Sequence, residues 1–178
     1  MPLNEKYFNN IKIHTQYSIC EGAIKIDDLA EYCKNNKIKS LGLADSFNLC
    51  GALEFSEKIS KVGTQPIIGT QINFKYNKEH IAKLPIFATT EKGFVNLSKL
   101  SSKSFLDIDQ QSKPHCLIDD LFNNGDDLIV LSGGINDFFG GLYSLNRSKQ
   151  IDDVLKKFKD SFEDRFYIEV QRHLEPNE

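Results

Sequence analysis

Lys12 and His14 lie two residues apart in a stretch whose alternation is typical of a β-strand, so their side chains should share one face. Residues 11–22 read Ile-Lys-Ile-His-Thr-Gln-Tyr-Ser-Ile-Cys-Glu-Gly, and the break at Glu21-Gly22 predicts a turn that brings a carboxylate back toward that face. A His-x-His strand followed by an acidic turn is a metal-ligand arrangement. Here a lysine stands in place of the first histidine, and a protonated lysine cannot ligate a metal.

Two further polar positions follow short buried strands, where α/β folds keep their sites. Asp45 could act as a general base, or it could cap the backbone amides of Asn48 and Leu49, and we favour the structural role. Gly133 and Gly134 could cradle a phosphate. Because no lysine follows them at Walker spacing, we interpret them as a strand-to-loop turn.

Helices alternate with strands along the chain, which predicts an α/β protein built from right-handed βαβ units around a mainly parallel sheet or barrel. Apolar residues at helical spacing indicate helices, and short apolar runs indicate strands. After the first strand, the predicted strands cover residues 40–44, 65–69 with an extension over 71–76, 83–89, 128–131 and 166–170. The predicted helices cover residues 26–36, 52–62, 94–100, 117–122 and 151–158.

The chain has 178 residues, 40% of them hydrophobic, and a formal net charge of −3. These values predict one domain over residues 1–178 and argue against a surface that coats nucleic acid. The four cysteines lack Cys-x-x-Cys spacing and residues 1–10 lack an apolar core, so we expect reduced thiols in a cytoplasmic protein without a membrane segment. Because no covering helix follows the last predicted strand, we expect a truncated piece of a longer chain.

Four stretches resemble the N-terminal polymerase-and-histidinol-phosphatase (PHP) domain of bacterial DNA polymerase III alpha subunits, and the resemblance covers nearly the whole chain. They are Ile-His-Thr-Gln-Tyr-Ser at residues 13–18 with Glu21-Gly22, Leu-Ala-Asp-Ser-Phe-Asn-Leu-Cys-Gly at 43–51, Gln-Pro-Ile-Ile-Gly at 65–69, and Phe-Tyr-Ile-Glu-Val-Gln-Arg-His at 166–173. The resemblance implies an α/β fold, a PHP-type distorted, seven-stranded (β/α) barrel similar to a TIM barrel, truncated here before its last strands. In full-length members the palm, fingers and nucleotide-binding regions follow this domain.

In metal-binding PHP domains a cluster of divalent ions sits at the strand ends, and the resemblance places the corresponding positions on eight residues. They are Lys12, His14, Glu21, Asp45, Ser46, Gln71, His80 and Gly134. Lysine, serine, glutamine and glycine are poor replacements for histidine, carboxylate and thiolate ligands. We therefore expect a degenerate site with no catalytic residue, no metal and no cofactor in this chain, while Mg²⁺ would belong to the absent polymerase domain.

Lys12 could compensate for missing ions, because an ammonium can supply the positive charge that neighbouring carboxylates need. The hypothesis is an ion pair between Lys12 and either Glu21 or Asp45. His14 and His80 could form a residual metal site, but we favour two hydrogen-bonded histidines, since two histidines and a glutamate make a weak, open site at most.

Predictions also follow for the two remaining histidines and for one aromatic segment. We expect His115, in a polar loop, to be solvated, and His173 to be structural or near the old cleft. Four residues of a glycine-interrupted segment are candidates for an exposed apolar patch: Phe138, Phe139, Leu142 and Tyr143.

The resemblance implies a PHP domain with a structural and docking role in a DNA-directed DNA polymerase that serves DNA replication. The implied partners are the proofreading exonuclease subunit and other replicase subunits, and DNA through the full-length chain. Two alternatives stay open. One is an active metal-dependent phosphoesterase, exonuclease-like or pyrophosphatase-like, which would use Zn²⁺ or Mn²⁺, and the other is a pure interaction module outside any enzyme.

Overall fold

The structure, a computed structural model, describes residues 9–77, 80–109, 111–145 and 148–171. The strands in this part of the chain are β1 Ser40–Ser46, β2 Gln65–Asn77, β3 His80–Ala88, β4 Cys116–Leu117, β5 Leu128–Leu131 and β6 Phe166–Tyr167. The helices are α1 Ile26–Asn36, α2 Ala52–Lys61, α3 Glu91–Leu106, α4 Ile118–Asn123, α5 Phe138–Ser144 and α6 Ser148–Phe162. The predicted α/β fold class is confirmed.

The six strands form one mixed sheet with the order β1-β2-β3-β5-β6, and β4 pairs with β2. The β1/β2 and β5/β6 pairs are parallel, whereas β3 runs antiparallel to both β2 and β5. The expectation of a mainly parallel sheet is therefore wrong at β3. Since β2 ends at Asn77 and β3 begins at His80, the connection is far shorter than the dozen or so residues that a parallel crossover needs.

The predicted first strand is a short segment that lies parallel beside β1 and pairs with it through one bridge, between Ile13 and Leu43. Gly42 donates its backbone N–H to Asn10, and Ala44 donates its N–H to Ile13, both at 2.8 Å. A Cβ atom at Gly42 would lie 2.1 Å from the carbonyl oxygen of Ile11. Glycine at this position is what allows the two backbones to approach so closely.

Two hydrophobic clusters hold the helices on the sheet. The smaller cluster packs α1 and α2 against β1, with Ile26, Leu43 and Phe55 fully buried. The larger cluster joins β2, β3 and β5 to α3, α4, α5 and α6. Burial of side chains of this size is the main favourable contribution to folding, about 1.5–3 kcal/mol for each fully buried leucine, isoleucine or phenylalanine.

The aromatic segment before α6 differs from the prediction of an exposed patch. Residues 138–144 form the helix α5, in which Phe138 and Leu142 are fully buried while Tyr143 is 76% exposed. The sequence did not predict this helix, because it contains the adjacent glycines Gly140 and Gly141 and glycine is unfavourable in helices. The predicted patch is thus wrong for Phe138 and Leu142, and Phe139 is only partly exposed because it packs against the larger cluster. It is right for Tyr143.

Two predictions about histidines have different outcomes. His115 is 8% exposed and therefore not solvated, because its backbone N–H donates to Ser104 at 2.9 Å and draws the loop back onto α3. Its ring Nδ1 lies 2.8 Å from the carbonyl oxygen of Lys113. His173 lies outside the described residues, so its role stays a prediction.

Candidate functional site

The carboxyl ends of parallel strands meet at one edge of the sheet, and this edge gathers the predicted polar residues. β1 ends there at Ser46, and the loop after β5 and the segment after β6 leave from the same edge. The N-terminal segment runs parallel to β1, so it too points its end at this edge. This is where α/β proteins place binding and catalytic groups.

His14 is held in a chain of hydrogen bonds that runs between β2 and β1. Its ring Nε2 lies 2.9 Å from the amide nitrogen of Gln71, and its Nδ1 lies 3.4 Å from the hydroxyl of Ser18. Ser18 in turn donates to the Asp45 carboxylate at 2.7 Å. A neutral imidazole with its proton on Nδ1 satisfies every member, because it accepts from Gln71 and donates to Ser18.

The surroundings of His14 favour this neutral form. Burial lowers the pKa of His14 below its ordinary value of 6.5, and the charges of Lys12 and Lys83 lower it further, against the opposing effect of Glu21 and Asp45. These two lysines and two carboxylates therefore all lie close enough to His14 to influence its pKa.

Asp45 is 1% exposed, and it anchors the N-terminal segment to β1. Its carboxylate accepts the backbone N–H of Thr15 at 2.6 Å and the hydroxyl of Thr15 at 2.7 Å, in addition to the Ser18 hydroxyl. We predicted a structural role, but with the backbone amides of Asn48 and Leu49. That partner assignment is wrong, because the N-terminal segment lies beside β1 and its residues Thr15 and Ser18 donate to the carboxylate.

Glu21 returns to the site on the turn after the first segment, as predicted. One carboxylate oxygen accepts Lys83 from β3 at 2.8 Å, and the other accepts the hydroxyl of Ser46. Partial burial raises the pKa of Glu21, but the hydrogen bonds from Lys83 and Ser46 outweigh it and leave the pKa below its usual value. Sequence reasoning missed Lys83, whose position opposite Asn73 depends on the β2/β3 register.

Lys12 is largely buried, but its predicted partners are wrong. Its ammonium lies 2.9 Å from Glu169, which follows β6, and 3.8 Å from Asp137, which precedes α5. Glu21 and Asp45 accept hydrogen bonds from other donors. The ammonium of Lys12 therefore pairs with Glu169 and Asp137 instead. Glu169 lies in the stretch over residues 166–173 that resembles the PHP family, whereas no sequence pattern pointed to Asp137.

His80 and Gly134 do not join the His14 chain. The ring Nε2 of His80 lies 2.8 Å from the carbonyl oxygen of Phe138, and the imidazole packs edge-on against the Phe138 ring at a centroid distance of 5.1 Å. Gly134 donates its backbone N–H to the Asp137 carboxylate at 2.7 Å. A carboxylate of this chain thus already binds the amide that a phosphate would have needed.

The residues at this edge do not fit the divalent-metal cluster that the PHP resemblance implies. The Nε2 lone pair of His14 is engaged by Gln71, the ammonium of Lys83 already neutralises Glu21, and Lys12 brings an ammonium where a ligand is expected. Metal ligands must offer free lone pairs. Within the described ranges, no group of three or more histidine, cysteine, aspartate and glutamate side chains is arranged to hold a metal ion.

Comparison with known proteins finds one family and a set of relatives. The PHP domain family matches residues 10–173. A DNA polymerase III subunit alpha from Caulobacter vibrioides is 34% identical over 178 residues, which covers 96% of this chain and 16% of that protein. The Aquifex aeolicus protein of the same name is 31% identical over 188 residues, or 97% of this chain and 16% of its own length.

The likeness of this fold to solved structures is slight. An amidohydrolase from Chromobacterium violaceum aligns with a TM-score of 0.41 at 13% identity, over 53% of this chain and 34% of that one. This score is too low to support a conclusion about function. The chain spans about one sixth of the length of the polymerase subunits that it matches.

Proposed function

This chain belongs to the PHP domain family, and we propose that it is the PHP domain of a DNA polymerase III alpha subunit that serves DNA replication. Sequence identity of 34% over 96% of the chain to such a subunit supports the proposal. Because the chain spans 16% of that relative, polymerisation itself would belong to other parts of the full-length protein, where carboxylate-held Mg²⁺ ions would assist nucleotidyl transfer.

Within the replicase, this domain would serve as a scaffold rather than as a hydrolase. The observation that carries this part of the proposal is that the former ligand positions bond to one another and to nearby residues. The side-chain amide of Gln71 forms a hydrogen bond with the imidazole of His14, and both Ser46 and Lys83 donate to the carboxylate of Glu21. Hydrolysis would need a metal-activated water, and therefore a bound ion with an open coordination position. The contacts just described engage the side chains that would bind such an ion.

We propose the proofreading exonuclease subunit and other replicase subunits as the partners of this domain, and DNA as a partner of the full-length chain. Such a domain would work in the cytoplasm. In the part of the chain that the structure describes, no helix is long and apolar enough to cross a membrane.

Two assays on the purified protein test the two halves of the proposal. Size-exclusion chromatography with the exonuclease subunit of the same replicase should show co-elution, and separate elution would contradict the docking role. A phosphoesterase assay on a generic substrate, with Mn²⁺ or Zn²⁺ added, should show no turnover above that of the His14→Ala variant. Turnover that disappears in His14→Ala would instead support an active metal-dependent phosphoesterase.

A further inference from the structure

The ammonium of Lys12 lies between two carboxylates that are themselves largely out of water. Its Nζ atom is 2.9 Å from Glu169 and 3.8 Å from Asp137, and the three side chains are 17%, 13% and 14% exposed. Both carboxylates are positioned by the fold. The backbone N–H of Glu169 donates to Ser132 at 2.9 Å, and the Asp137 carboxylate accepts the N–H of Gly134.

This cluster joins the two ends of the sheet. Lys12 belongs to the segment that pairs outside β1, and Glu169 follows β6, which is the last strand in the order β1-β2-β3-β5-β6. In a flat sheet, five strand spacings would place the first segment about 24 Å from β6. The contact of 2.9 Å therefore shows that the sheet curves until its ends meet, with Lys12 across the seam.

Among the described residues, Lys12 supplies the ammonium that the ion pairs at the seam share. The Oε2 atom of Glu169 is buried and accepts no hydrogen bond within the described residues. Its Oε1 atom accepts Lys12 and the side-chain amide of Gln171. A buried carboxylate without a cation is strongly unfavourable, and Asp137 adds a second negative charge.

We propose that Lys12 is a built-in cation that neutralises Glu169 and Asp137, so that closure of the seam between the first and last strands needs no metal ion. The lysine is covalently part of the first segment, so it neutralises Glu169 and Asp137 without a binding equilibrium. This inference goes beyond the docking role and does not depend on it, because it rests on contacts inside the domain.

Thermal unfolding of the purified protein and its variants tests this inference. The melting temperature, Tm, of the unaltered protein should be the same with EDTA as with added Mn²⁺. Lys12→Met should lower Tm by on the order of 10 °C, since removing one partner of a buried ion pair leaves an uncompensated charge. The matched control Lys83→Met breaks a more exposed pair with Glu21, in which the carboxylate is 37% exposed, and should lower Tm by about 2–3 °C.

A double variant keeps the test decisive if Lys12→Met is too unstable to purify. Lys12→Met with Glu169→Gln removes the uncompensated carboxylate together with the ammonium, so its Tm should exceed that of Lys12→Met alone. A double variant no more stable than the single one would overturn the inference. So would a Lys12→Met effect as small as that of Lys83→Met, or a rise in Tm of the unaltered protein by several degrees with Mn²⁺.

Discussion

Hydrogen bonding at His14 and Asp45 engages the groups that metal or acid-base chemistry would require. Gln71 donates to one nitrogen of His14, and Ser18 accepts from the other and passes the chain on to Asp45. The sequence pattern predicted which of these residues would meet at the sheet edge. It could not predict their partners, because hydrogen bonds of this kind depend on side-chain positions to within a few tenths of an ångström.

The first residue-level prediction concerns the titration of His14. Burial favours the neutral imidazole, so His14 should titrate below pH 6.5 in the folded protein. An NMR titration that follows its ring proton measures this directly. A midpoint at or above 6.5 would contradict the hydrogen-bond chain.

The lowered pKa of His14 also determines how the stability of the fold changes with pH. The folded protein holds the proton of His14 less tightly than the unfolded chain does, so the stabilising contribution is fully present above pH 6.5 and is lost as the pH falls below it. His14→Gln should therefore lose less stability than the unaltered protein when the pH is lowered from about 7 to about 5.5.

The second residue-level prediction concerns Asp45, whose carboxylate accepts three hydrogen bonds in a buried position. Asp45→Asn turns one acceptor oxygen into a donor that faces other donors, and it should lower the free energy of unfolding by about 3 kcal/mol. Denaturant titration measures the loss. The exposed Asp153 is the matched control, and Asp153→Asn should change stability by less than about 0.5 kcal/mol. Equal effects of the two variants would contradict the anchoring role of Asp45.

At the scale of elements, helical and strand periodicity predicted most of the secondary structure. The predicted end of α1 near residue 36 and the strand over residues 128–131 are confirmed. The direction of β3 could not be read from periodicity, since alternation looks the same in parallel and antiparallel strands. The two-residue strand β4 is too short to leave a periodic signal.

The element on which the site most depends is the N-terminal segment, because it carries Lys12, His14 and Thr15. Its close approach to β1 requires glycine at position 42, where a Cβ atom would lie 2.1 Å from a backbone oxygen. Gly42→Ala should lower the free energy of unfolding by about 3 kcal/mol, because the neighbour is backbone and cannot rotate away.

Gly63 provides the control for this substitution. It has a φ of 83°, and a Cβ atom added there would meet nothing within 4 Å, so Gly63→Ala adds backbone strain alone, about 1 kcal/mol. Urea titration of both variants gives the comparison. If Gly42→Ala proved no more harmful than Gly63→Ala, the close packing of the first segment on β1 would be in doubt.

At the scale of the whole molecule, one curved sheet brings its first and last strands together through Lys12 and Glu169. The resemblance of four short stretches predicted the family that the match over residues 10–173 shows. The pairing of Lys12 with residues 125 and 157 positions away could not be predicted. Such long-range contacts depend on how far the sheet curves, which no local pattern records.

Elemental analysis of the purified protein, after dialysis against Mn²⁺ or Zn²⁺ and then metal-free buffer, measures how much metal the chain binds. We propose that protein groups engage the positions that the PHP resemblance assigns to metal ligands. We expect far less than one ion per chain, with the same value in His14→Ala. A stoichiometric ion that is lost in His14→Ala would contradict this proposal and identify His14 as a ligand of a working metal centre.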